Sequence, residues 1–168
     1  GRRIIDIEFQ TKWFQIVSRS TKDAMCQEPY YLIDGADSVI VLPLTKNGHL
    51  VLVKQYRYSV DRKTIEFPAG YIGIGEPPIF AAARELMEET GYECNELKDL
   101  GTGKIMLNRY IPKEHLFIGL EAKRVTDPLE KDIEVVEVAP SEFKEMIKTG
   151  EFDQLAAIGL WFKAQQLL

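Results

Sequence analysis

Between Gly70 and Tyr92 the sequence gathers carboxylates at spacings that a helix turns into a site. Glu85 and Glu89 are four residues apart, so a helix stacks them one turn above the other on one face, with Glu88 beside them. Like charges at that spacing destabilise a bare helix. A cation between them reverses the sign. Mg2+ prefers oxygen ligands and is commonly held by one or two carboxylates together with substrate phosphates. Arg84, four before Glu88, is placed to pair with it.

The flanking residues supply the helix. Gly70, Gly73 and Gly75 punctuate a loop in which main chain can approach a ligand closely. Pro77 and Pro78 suit a first helical turn, where the missing N–H is not needed. Ile79 to Thr90 is rich in Ala, Leu, Met, Arg and Glu, all good helix formers, and Gly91 ends the run.

Gly70, Glu76, Arg84-Glu85, Glu88-Glu89 and Gly91 stand at the spacing of the Nudix box, G-x5-E-x7-R-E-U-x-E-E-x-G-U, where U is a bulky apolar residue. Leu86 and Tyr92 occupy U positions. The chain therefore resembles the Nudix hydrolases. The entry Glu66-Phe67-Pro68-Ala69-Gly70, and Gln55-Tyr56-Arg57 before it, resemble the ADP-ribose and nucleoside-diphosphate-sugar pyrophosphatases of that family. The resemblance implies an α+β Nudix fold, with mixed β-sheets sandwiched between α-helices. It implies Mg2+-dependent hydrolysis (Mn2+ a possible substitute) of a nucleoside-diphosphate-linked small molecule. Implied metal ligands are the Ala69 carbonyl, Glu85, Glu88 and Glu89. Glu130, in the late loop Asp-Pro-Leu-Glu-Lys-Asp, is the candidate base, and Arg84 belongs to the same catalytic set.

Arg57 and Glu66 are the candidate substrate-binding residues outside the box. A guanidinium grips phosphate oxygens bidentately, and Glu66 is placed to hold a ribose hydroxyl or a second metal. ADP-ribose hydrolases usually carry a proline shortly past the box, and Leu100 to Ile111 contains none. ADP-, GDP- and UDP-sugars all remain open. So does a dinucleoside polyphosphate, because Tyr110 stands where such hydrolases tend to show a tyrosine. A noncatalytic nucleotide sensor is a third reading, against which the intact box carboxylates count. Lys104 and Arg109 are read as exposed.

The 168 residues suffice for a real core, and 45% hydrophobic content is ordinary for a globular protein. A net charge of −5 argues against nonspecific nucleic-acid or anionic-membrane binding. Cys26 and Cys94 have no metal-type spacing and read as reduced thiols of a cytoplasmic protein. No stretch has the apolar length of a membrane span, and no signal peptide is visible.

In chain order, residues 4–19 read as one or two strands, 23–29 as a turn, and Tyr30–Ile33 as a strand. Ser38–Leu44 and His49–Tyr56 form a hairpin about Asn47-Gly48. Thr64–Phe67 is a strand leading into the box. Strands follow over 94–107, with a break at Gly101 and Gly103, then over 115–123 and 133–138. Helices run from Pro140 to Lys148 and from an Asp153 cap to about Gln166. Residues 1–36 are expected to form a small N-terminal β-unit that builds a homodimer, ahead of a hydrolase domain over 37–168. Trp13, Phe14, Tyr30 and Tyr31 are assigned to core or dimer packing.

Overall fold

The computed structural model describes residues 5–21 and 29–168. Ile4, Cys26 and most of the turn expected over 23–29 lie outside them. β1 (Ile5–Gln10), β2 (Phe14–Arg19) and β3 (Tyr30–Gly35) form a three-stranded antiparallel sheet of their own. Ile5, Ile7 and Phe9 on this sheet, and Trp13 in the turn after β1, are each more than half exposed.

The larger sheet is built from β4 (Ser38–Thr45), β5 (Leu50–Arg57), β6 (Arg62–Glu66) and β7 (Ala69–Tyr71), which lead into helix α1 (Pro78–Thr90). It continues through β8 (Tyr92–Glu93), β9 (Glu96–Lys104), β10 (Lys113–Arg124) and β11 (Glu134–Val138), before α2 (Pro140–Thr149) and α3 (Leu155–Leu167). Its backbone order is β11-β5-β4-β10-β8, with β4 and β10 parallel, and with β6, β7 and β9 paired to β5, β4 and β10.

Period-two alternation decides what each face buries. Val39 and Val41 of β4 and Phe117 of β10 pack against Ala81 and Ala82 of α1. Val51 joins Leu86 and Tyr92 on that side. Ile40, Leu42, Leu50, Leu52 and Ile118 point the other way, onto Phe143 of α2 and Leu160 of α3. The mixed sheet is thus sandwiched between helices, as expected. Phe67, Phe143, Phe152 and Trp161 interlock there, with ring centroids 4.8–5.7 Å apart.

Two local expectations are corrected. No break interrupts the strand at Gly101 and Gly103. β9 runs through both, and the register shift opposite His115 and Phe117, with Gly101 at φ 93°, is a bulge that keeps pairing with β10. Asp153 does not cap the last helix. The residue before that helix is Gln154, with no side-chain cap, and Asp153 instead accepts a 2.6 Å hydrogen bond from Arg62. Among the described residues, no helix is long and apolar enough to cross a membrane.

Candidate active site

Helix α1 carries the box carboxylates and is fixed at both ends. Pro78 begins it, and Gly91 closes it in the left-handed conformation at φ 73°, donating its N–H to the Met87 carbonyl. A side chain at Gly91 would also collide with the Thr126 backbone. Gly70 is required for a different reason: a Cβ there would fall within the Glu85 carboxylate. The first glycine of the box is therefore the space into which a box glutamate folds.

Arg84 was expected to pair with Glu88, and it does so at 3.3 Å. Its stronger partner is Glu76. Two 2.8 Å hydrogen bonds join them, and Glu76 also accepts the Gly73 N–H. The guanidinium further donates to Glu85 at 2.8 Å and to the Tyr71 carbonyl. Arg84 and the Gly73 N–H hold the Glu76 carboxyl down to about 2. The arginine thus ties the glycine loop to the helix and fixes the Glu85 carboxylate.

Glu85, Glu88 and Glu130 each bring a carboxylate oxygen to within 4.8 Å of the others. Glu130 is 45 residues from Glu85 in the chain (130 − 85), and main chain carries it there. The N–H groups of Leu129 and Glu130 donate to the Glu88 carbonyl, and those of Val125 and Thr126 to the Gly91 carbonyl. The orphan carbonyls at the end of α1 therefore dock the late loop. An all-oxygen donor set of this kind fits Mg2+ or Mn2+.

Glu89 lies deeper, 4% exposed, and accepts the Ala69 N–H at 2.9 Å. Burial, and then the nearby Glu85, Glu130 and Glu66 charges, push its carboxyl up to about 8. Burial also raises Glu85, against the pull of Arg84. These are carboxylates whose ionised form is left wanting a cation.

Arg57 and Glu66 sit together on the β5–β6 hairpin. The guanidinium donates two 2.8 Å hydrogen bonds to the two Glu66 oxygens, and its own pKa is raised chiefly by them. The Thr64 hydroxyl donates to Glu66 at 2.5 Å. Glu66 is buried while Arg57 remains half exposed, near enough to Glu89 and Glu130 to feel their charges. The sequence expectation gave Glu66 a hydroxyl or a second metal. The structure shows both its oxygens engaged. Thr64 is a site residue that the sequence reading lacks, although it shares the inward face of β6 with Glu66 two residues on.

Lys104, Arg109 and Tyr110 do not join this cluster. Lys104 donates to the Ile111 carbonyl. Arg109 donates to the Tyr31 carbonyl and lies 4.5 Å over the Tyr30 ring. Tyr110 bridges Ile33. Arg109 and Tyr110 fasten the loop before β10 to the N-terminal sheet, and Lys104 ties the same loop back on itself.

A family model described as NUDIX domain matches residues 35–167. Among curated proteins, the chain is 33% identical over 125 residues to the ADP-ribose pyrophosphatase of Bacillus subtilis (strain 168), covering 71% of this chain and 67% of that one. It is 32% identical over 120 residues to the Methanol dehydrogenase activator of Bacillus methanolicus, covering 66% and 62%. To the GDP-mannose pyrophosphatase of Escherichia coli (strain K12 / DH10B) it is 32% identical over 128 residues, covering 70% and 66%. The chain thus spans about two thirds, or less, of the length of these relatives. A crystal structure of an ADP compounds hydrolase superposes with a TM-score of 0.83 over 100% of this chain and 95% of that one. At 18% identity it shows a shared fold.

Proposed function

The chain belongs to the Nudix family, and on that premise we propose that it hydrolyses the diphosphate linkage of a nucleoside diphosphate joined to a second group, ADP-ribose or a nucleoside-diphosphate sugar. The products are a nucleoside monophosphate and a sugar phosphate. The observation that carries this is the convergence of Glu85, Glu88 and Glu130 within 4.8 Å, beside a guanidinium already held in place by Glu66.

Glu85, Glu88 and Glu89 would hold Mg2+ or Mn2+, together with the carbonyl of Ala69, whose N–H is fixed by Glu89. Such an ion, when bound, neutralises phosphoryl charge and acidifies water. Arg84 fixes Glu85 and Glu88. Arg57 grips a phosphate oxygen through the guanidinium edge that Glu66 does not occupy. Glu66 acts as a positioning residue for Arg57. Glu130 accepts a proton from the attacking water on its carboxylate, as its place on a loop docked to α1 allows.

We further propose a homodimer built through residues 4–34, supported by the exposed apolar side chains of β1 and the following turn. Light scattering that finds a monomer at micromolar concentration overturns it. For the reaction, kcat/KM should be measured with Mg2+ on ADP-ribose, GDP-mannose, other diphosphate sugars and diadenosine tetraphosphate, by phosphate release after phosphatase coupling. Diphosphate sugars should lead, and excess EDTA should abolish turnover. A tenfold preference for the tetraphosphate, or full activity in EDTA, refutes the proposal.

A further inference from the structure

A cavity of about 850 Å3 opens beside the acidic cluster, and the reaction as proposed leaves it unused. Glu130 stands in both the cluster and the cavity wall, so the two are continuous. The rest of the wall is the outer part of the β5–β6 hairpin and the start of β11. It includes Lys54, Tyr58 and Lys63 on one side, and Lys131, Asp132 and Glu134 on the other.

The charges along this wall alternate and cancel. Lys54, Lys63 and Lys131 share the wall with Glu130, Asp132 and Glu134. Lys54 is the cross-strand neighbour of Glu134. Yet among the described residues none of the three lysines is in an ion pair. Donors and acceptors are therefore both left free to bind a ligand. A further anionic group would meet three carboxylates, and a cation three ammoniums. A neutral ligand with many hydroxyls satisfies both kinds of group, since each hydroxyl donates to a carboxylate and accepts from an ammonium.

The aromatic residue at the rim fits the same ligand. Tyr58 is 91% exposed, and its ring meets Tyr56 edge-on at 5.2 Å and 83°. An edge-to-face contact with one neighbour, on a ring so exposed, leaves at least one Tyr58 face open. The hairpin tip that carries it is held in shape. Val60 donates its N–H to the Arg57 carbonyl, Asp61 takes the left-handed conformation at φ 51°, and the Tyr56 hydroxyl donates to the Asp61 carboxylate. One aromatic face beside mixed acidic and basic donors suits the C–H face of a sugar ring, whereas a planar base sandwiched by stacking needs two faces.

We propose that this cavity is the glycosyl subsite, seating the sugar of a nucleoside-diphosphate sugar with Tyr58 against the ring and Lys63 and Asp132 on its hydroxyls. The inference rests on the diphosphate-hydrolase reading and adds to it which surface chooses the sugar. Its volume lies within the usual range for small-molecule sites and exceeds what one pentose fills, so hexoses are accommodated.

The test uses three substrates with one nucleotide: ADP-glucose, ADP-ribose and the β-methyl ester of ADP, which has the diphosphate and no sugar. Wild type should hydrolyse both sugar compounds faster than the methyl ester. Tyr58→Ala should lower kcat/KM on the sugar compounds by about threefold to tenfold, as losing a ring contact does. Lys63→Ala should lower it by about tenfold or more, as losing a charged donor does. Both should leave the methyl ester unchanged. Saturation-transfer NMR with Mg2+-loaded protein and an ADP-glucose analogue whose bridging oxygen is replaced by methylene, which cannot be hydrolysed, supplies a second readout: transfer to the glucose protons in wild type, weakened in Tyr58→Ala. If the variants slow all three substrates equally, or none, the subsite is overturned while the hydrolase reading stands. If wild type hydrolyses neither these three nor their GDP and UDP counterparts, the hydrolase reading falls and the subsite with it.

Discussion

Replacing Glu66 by Gln separates a positioning role from a contact with substrate. In the structure Glu66 accepts Arg57 Nε and Nη2 at 2.8 Å each and the Thr64 hydroxyl at 2.5 Å. A glutamine keeps the shape but offers one acceptor oxygen, and its amide N–H groups face guanidinium N–H groups. One of two charge-assisted hydrogen bonds is lost outright, each ordinarily about 1.5–3 kcal/mol. Arg57 is half exposed, so water takes over part of that interaction, and the stability cost should be nearer 1–2 kcal/mol by the weaker standard of exposed pairs. For a chain of this size that lowers Tm by roughly 2–8 °C. The catalytic consequence is larger. A freed guanidinium samples several rotamers, and kcat/KM on a diphosphate sugar should fall by about tenfold to a hundredfold, as in Arg57→Ala. The decisive assay is the double-mutant cycle on kcat/KM. If Glu66 works through Arg57, the double variant is no worse than Arg57→Ala alone. Losses that multiply would refute this, and would return Glu66 to direct contact with substrate.

Three other outcomes follow from the site. Glu89 titrates near 4.5 in the unfolded chain and about 8 in the folded one, so between these values the native state holds the extra proton and stability falls as pH rises. Metal-free protein should therefore melt at a lower temperature at pH 8.5 than at pH 6, and Mg2+ should raise Tm more at the higher pH; calorimetry showing a flat profile counts against the buried carboxyl. Gly70→Ala puts a methyl group into the Glu85 carboxylate, which should cost about 1–3 kcal/mol in denaturant titration and at least about a hundredfold in kcat, because Glu85 must swing aside. Glu130→Gln, on an exposed loop, should leave Tm within about 1 °C yet lower kcat by about a hundredfold or more; a variant within a few-fold of wild type would remove Glu130 from the chemistry.

The carboxylate face of α1 was legible because its order is local. Residues three and four apart on a helix must be neighbours, and the closing glycine marks where the helix ends. The sandwich was legible for a similar reason: the apolar runs of β4 and β5 can be buried only with both faces covered. What escaped the sequence depends on partners distant along the chain. Asp153 has a capping side chain in a capping place, but Arg62, 91 residues away, claims it. Arg84 has a suitable glutamate at i+4, but the proline turn returns Glu76 to it with better geometry. Glu130 entered the reading only through resemblance. Its place is set by main-chain N–H groups of residues 125–130, and such groups are the same in every sequence. Thr64 is the one miss that carried a usable signal, the two-residue period of its strand.

The charges left over in the site decide the order in which it fills. Of its six carboxylates, Glu76 and Glu66 are matched by Arg84 and Arg57. Glu85, Glu88, Glu89 and Glu130 remain, and burial holds a proton on Glu89 up to about pH 8. Three carboxylates then share a region less than 5 Å across, in a chain already at −5. A diphosphate brought into that field meets repulsion that a single half-exposed arginine does not offset at such separations. Cation binding must therefore come first or together with the substrate. Affinity for the diphosphate should rise steeply with Mg2+ concentration, by more than the roughly tenfold to hundredfold that Arg57 supplies. If the metal-free protein bound a diphosphate sugar as tightly as the Mg2+-loaded one, the carboxylate cluster would have some task other than holding a cation for this substrate.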